Sequence, residues 1–202
     1  MSAPDAAPAA KKGRPGLDRR FVLDTAVAAF IEYGYDATSM GMIASRLGLS
    51  KAAVYHHYPA KAEILSAALD EALGGLEGVL LEEGALIGNA EERLAYVMRG
   101  AVHILTSRLP YVTLLLRVRG NTDVEREALR RRRDFDRSVT ALVAEARDEG
   151  SVRSDIDPRV VTRLLFGMIN SIVEWYRPDG PESADQLAGE VLAVALEGLA
   201  AT

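Results

Sequence analysis

The stretch Thr38 to Tyr58, TSMGMIASRLGLSKAAVYHHY, constrains this chain more than any other, because two short helices joined by a glycine turn can be read from it. Met40, Ile43, Ala44 and Leu47 recur at i, i+3, i+4 and i+7, one apolar stripe on a helix that Thr38 or Ser39 can cap. Gly48 stands just past the last apolar position, where a left-handed residue closes a helix, and Ser50 supplies the hydroxyl N-cap of the next. Leu49 and Val54 have the spacing of a hydrophobic staple, which fixes how the chain enters the second helix. The unit is a helix-turn-helix.

The second helix, Lys51 to Tyr58, presents Lys51, Ala52, Tyr55 and His56 near its start: a cation, a small side chain and two hydrogen-bonding rings. That mixture suits a major groove, where small residues allow close approach and polar ones reach base edges or phosphates. Charge is distributed to match. Residues 1–61 carry a net +3 and residues 62–202 a net −8, so only the N-terminal third of an acidic chain is basic. A local cationic surface is what phosphate contact at one end requires.

The run TSMGMIASRLGLSKAAVYHHYPAKAEIL resembles the DNA-binding domain of the TetR family of bacterial transcriptional regulators. Gly34, Thr38, Ile43-Ala44, Leu47-Gly48, Ser50, Tyr55 to Tyr58 and Lys61 fall where that family has its helix-ending glycine, capped helices, glycine turn, aromatic ending and lysine. The resemblance is specific over roughly the first third of the chain and broad elsewhere. It implies an all-α protein of about nine helices, divided into a basic arm (1–16), a helix-turn-helix domain (17–63) and a ligand-binding and dimerisation domain (64–202). The candidate DNA contacts are Thr38, Ser39, Ser50, Lys51, Ala52, Tyr55, His56, His57 and Lys61. Lys51 is assigned to base readout, and Thr38, Tyr55 and Lys61 to phosphates.

The rest of the sequence supports an all-α body. A first helix is expected from Leu17 to Tyr33, stopped by Gly34, and a longer one from Lys61 to Leu80 bridges the reading unit to the remainder of the chain. Gly74, Gly75 and Gly78 in that helix mark either a bend or close packing. Further helices are expected at about 91–108, 110–119, 122–149, 158–177 and 183–200, separated by Pro and Gly breakers. The Ala/Pro-rich segment 1–16 reads as a solvated tail, or as a basic arm that lies along phosphates.

LLFGMINSIVEWY, 164 to 176, is apolar nearly all round, so more than one of its faces should be covered. Leu165, Gly167, Ile169, Ser171 and Ile172, followed by Leu192 and Leu196, are therefore candidates for a homodimer interface, and the resemblance implies a four-helix bundle there. Two reading helices would then meet half-sites about 34 to 36 Å apart. The resemblance also implies a small-molecule effector within the body. Met98, Leu105, Tyr111, Leu115 and Phe135 are candidate lining residues, with Met168, Asn170 and Trp175 from the later helix. Arg117, Arg119 and the run Arg130 to Arg133 have acidic neighbours at helical spacing, which gives a salt-bridged surface. The alternative is a phosphate-bearing effector, since YVTLLLRVRG and FGMINSIVEWYRPDG are similar to a subgroup that senses acyl- or aryl-CoA thioesters; Arg119 is the candidate anchor.

Other functions find little support. Cysteine is absent, which excludes disulfides and thiolate metal sites, and the three histidines form no metal set. There is no nucleophile elbow, phosphate-cradling glycine loop or HExxH motif, so neither enzymatic activity nor a cofactor is expected. No apolar run is long enough for a membrane span, and a cytoplasmic protein is the expectation. The competing reading is a helical dimer or adaptor that keeps the motif only as a packing unit.

Overall fold

The structure, a computed structural model, describes residues 18–199. The 1–16 arm and Leu17 lie outside these residues. Ten helices account for the described fold: α1 Arg19–Tyr33, α2 Met40–Leu47, α3 Lys51–His57, α4 Lys61–Val79, α5 Glu83–Leu86, α6 Ala90–Ser107, α7 Leu109–Arg117, α8 Asp123–Asp148, α9 Pro158–Trp175 and α10 Ala184–Leu199. The four-residue α5 adds one to the expected number. It follows Gly78 to Glu82, where the chain turns back against α6.

Helix ends in the first unit follow from their residues. Ser39 caps α2, its Oγ accepting the Met42 N–H at 3.2 Å, and Ser50 caps α3 by accepting from Ala53 at 3.2 Å. Thr38 therefore is not the cap. Gly48 takes φ 67°, ψ 30°, the left-handed conformation that closes α2 and lets the Leu49 N–H reach the Ala44 carbonyl at 2.9 Å.

α1, α2 and α3 bury Val22, Ala26, Phe30, Ile43 and Val54 together, and Ile64 and Leu65 at the start of α4 close that core. The same helix then buries Ala68, Leu69, Ala72 and Leu73 in the body, so one continuous core runs through both units. α4 is unbroken. Gly75 is the position where packing decides, because a Cβ there would lie 2.9 Å from Ile104 of α6; Gly74 and Gly78 face open space.

In the body, α6 is packed by α8 and α10, and α8 by α9. Capping boxes start two long helices, Asn89 with Glu92 for α6 and Thr122 with Glu125 for α8. Glu125 is buried, and the backbone N–H groups of Asn121 and Thr122 donate to its carboxylate. α7 ends at Arg117, two residues earlier than expected, where Val118 becomes extended. Pro110 lies inside the first turn of α7, where a missing N–H leaves no helical bond unmade. None of the described helices is long and apolar enough to cross a membrane.

Candidate nucleic-acid interface and effector cavity

The start of α3 and the start of α2 form one polar surface. Ser39, Ser50, Lys51, Ala52, Tyr55 and His56 are all exposed there, and His57 is half-buried with its ring 5.7 Å from that of His56. The capping oxygens of Ser39 and Ser50 accept from their own helices, which leaves each hydroxyl proton free to donate outward. Val54 and Tyr58, between these residues in sequence, are buried and anchor α3 from behind. Lys51 does not project straight from α3: its side chain crosses the first turn of α2 beside Gly41.

Two expected DNA contacts are used inside the protein instead. Thr38 is only 1% exposed, and its Oγ1 hydrogen bonds to the carbonyl oxygens of Gly34 at 2.8 Å and Ala29 at 3.3 Å. It ties the α1–α2 connection to α1. Lys61 donates from Nζ to the carbonyl oxygens of Tyr35 at 2.7 Å, Thr38 at 2.8 Å and Asp36 at 3.3 Å, and lies 4.2 Å from the centre of the Tyr35 ring. An ammonium with three carbonyl acceptors has no proton left for a phosphate. The sequence pattern places Lys61 correctly at the head of α4; it does not show that the α1–α2 connection turns three carbonyls toward its ammonium.

Besides α4, whose bridging role is legible in the sequence, the reading unit and body are joined by contacts that have no sequence signature. Tyr111 of α7 donates its hydroxyl proton to Asp24 of α1, and the Arg20 guanidinium lies 4.8 Å from the centre of the Tyr111 ring. Arg20 also pairs with Glu71 of α4 at 3.0 Å, Arg108 pairs with the same carboxylate, and Arg117 donates to the Ile31 carbonyl at 2.7 Å. Burial, followed by the bond to the Asp24 carboxylate, pushes the Tyr111 phenol well above its ordinary range, so it stays a proton donor. Tyr111 thus joins two parts of the molecule. A Tyr in an apolar helix signals only that its hydroxyl needs a partner; the partner is 87 residues away.

A cavity of about 470 Å³ opens between α4, α5 and α8. Leu80, Leu81, Ala85, Phe135 and Leu142 are its apolar wall, and Glu77, Arg131, Asp134 and Ser138 its polar one. Phe135 is the one sequence candidate that lines it. Met98, Leu105 and Leu115 are fully packed core residues, Met168 and Asn170 are half-buried on α9, and Trp175 is half-exposed. Arg119 lines a smaller cleft of about 180 Å³, shared with Tyr35, Asp36 and Asn121. Half of the arginine run is paired: Arg130 with Glu127 and Asp134, and Arg131 with Glu77 and Asp70. The hydrogen bonds from Arg131 hold the Glu77 carboxylate below its ordinary range.

α9 has a covered and an uncovered face. Leu165, Ile169 and Ile172, expected at a subunit interface, are at most 5% exposed within this one chain, as is nearly true of Leu192 on α10 at 6%. The uncovered stripe of α9 is Val160, Leu164, Gly167, Ser171 and Trp175, of which Gly167 and Ser171 are expected interface residues, and Val194 of α10 is exposed as well. Leu196 of the same helix lies half-buried. A segment apolar all round does not reveal which face the subunit itself covers.

Residues 22–68 match the family model described as bacterial regulatory proteins, tetR family, and residues 88–199 match that of a tetracyclin repressor-like C-terminal domain. A solved TetR-family regulator from Streptomyces coelicolor A3 is 49% identical, with 94% of this chain and 93% of that one covered and a TM-score of 0.84. The transcriptional repressor KstR2 of Rhodococcus jostii is 29% identical over 94% of this chain and 93% of its own. AibR, solved with isovaleryl coenzyme A and operator DNA, is 26% identical over 87% of this chain and 96% of its own, with a TM-score of 0.73.

Proposed function

Because the chain belongs to the TetR family of bacterial transcriptional regulators, we propose that it is a cytoplasmic, effector-responsive repressor that binds an inverted-repeat operator as a homodimer. The division of labour is an arm (1–16), a reading head (17–63) and a sensing and dimerising body (64–202). One observation carries the reading: α4 closes the core of the reading head and also supplies Glu77 to the cavity wall, with Leu80 following at its end, so a guest in the cavity presses on the helix that holds the head. Ser39, Ser50, Lys51, Ala52, Tyr55 and His56 meet DNA; Thr38 and Lys61 shape the turn behind them. The exposed stripe of α9 and α10 joins two subunits, and the repressor direction follows KstR2.

The effector places an apolar group against Leu80, Leu81 and Phe135. AibR binds isovaleryl coenzyme A, which makes a short acyl-CoA thioester the first molecule to test. A second reading, an uncharged hydrophobic effector, is favoured by Arg131: this arginine in the cavity wall is held by two carboxylates and offers no free charge to a phosphate. Operator binding followed by fluorescence anisotropy separates the two. Release by isovaleryl-CoA, but by neither free CoA nor isovalerate, supports the thioester; release by a neutral hydrophobic compound supports the second. An apolar ligand that fills the cavity without altering operator affinity contradicts both.

A further inference from the structure

We infer that Gly41 is a positioning residue for Lys51, and so a determinant of how this protein reads DNA; the inference rests on Lys51 being a DNA contact. Gly41 is the second residue of α2, and a Cβ built on it would lie 2.7 Å from Cε of Lys51 and 3.3 Å from its Nζ. Real Cβ atoms do not sit at the first distance, so a side chain here would push the flexible lysine tip onto another course, a shift that costs the fold little. The next neighbour, Ser39 Oγ at 3.6 Å, is an ordinary contact. The backbone does not require glycine here, since Gly41 is not among the positive-φ residues. A glycine in a helix weakens it relative to alanine, and at this position packing of the lysine is the compensating use.

Elsewhere within the helices, the glycines that a Cβ would bring into collision serve helix packing. Gly75 meets Ile104, Gly84 meets Tyr96 and Gly100 meets Val79, each a side chain of a neighbouring element. Gly41 instead meets the tip of an exposed lysine at the head of α3. A lysine ammonium on a four-carbon stem samples many rotamers when free, and that freedom is lost on binding. Lying across α2, Lys51 is held near one course before DNA arrives, which lowers the ordering cost of its contact.

The test is a double-mutant cycle in the full-length dimer, using an operator selected by the wild-type protein from a random duplex library. Gly41→Ala and Lys51→Ala should each weaken operator binding about tenfold, and the double variant should bind no more weakly than Lys51→Ala alone. Both single variants should alter base preference or salt slope in the same way. The melting midpoint of Gly41→Ala should not fall below that of wild type, since alanine favours the helix. A Gly41→Ala protein that binds as wild type while Lys51→Ala is weakened overturns the inference and leaves Lys51 a DNA contact. Additive losses, or a lowered melting midpoint in Gly41→Ala, overturn it by giving Gly41 an independent or merely structural role. Lys51→Ala without effect removes the contact itself, and the inference with it.

Discussion

Tyr55 and Lys51 are both exposed on the first turns of α3, yet they make different demands on DNA. A phenol on a phosphate carries no sequence information, so Tyr55→Phe should weaken binding to every operator variant alike. A lysine at a base edge does carry it, and Lys51→Ala should flatten preference at one position, a loss of about 1 to 3 kcal/mol for the preferred base. Binding to a set of single-base operator variants checks both, and the reverse pattern would exchange the roles. Lys61→Met tests the turn: removing the ammonium takes its donor from the Thr38 carbonyl and one of two from the Tyr35 carbonyl, at a cost of about 1 to 3 kcal/mol seen as a lower melting midpoint. Unchanged stability with weakened DNA binding would return Lys61 to the phosphates. The placement of Lys51 and Tyr55 on α3, of Thr38 beside the start of α2 and of Lys61 at the start of α4 was legible from spacing, because a capped helix pair has few solutions. Which of them turn inward was not, since that depends on carbonyls left open by a loop.

Among the elements, α2, α3 and α4 were legible nearly to the residue, because serine caps, Gly48 and Pro59 mark their limits chemically. α5 and the end of α7 were not: four residues carry too short a period, and Val118 leaves the helix without a breaker. The N-terminus of α9 makes a pH prediction. Asp157 accepts from the Arg159 side chain and backbone, and these bonds lower its carboxyl to about 2 from 3.8. A depressed folded value contributes stability that is present above the unfolded value and is lost as pH falls from about 3.8 through about 2. Asp157→Asn should therefore reduce the loss of stability in that window, measured by denaturant melts at each pH; an unaltered pH profile contradicts the assignment. At the junction, Tyr111→Phe removes the bond to Asp24 that ties α7 to α1. The dimer should persist while the effector loses part of its hold over operator affinity, and an unchanged effector response would exclude this contact from the coupling.

At the scale of the whole molecule, the body's all-α character and the apolar excess of α9 were visible in sequence, whereas the face that stays uncovered was not. Leu165 and Ile169 fill the subunit's own core; Leu164 and Trp175, their neighbours on the helical wheel, do not. Leu164→Glu with Val194→Glu should therefore yield a folded monomer by light scattering, while Leu165→Glu should instead unfold the body. The proposed operator recognition depends above all on two joined heads acting as one reader. Native mass spectrometry with anisotropy on the full inverted repeat and on an isolated half-site measures this directly. The prediction is two chains per full repeat, bound at least about a hundredfold more tightly than the half-site; one chain per duplex, with full and half sites bound equally well, would contradict it.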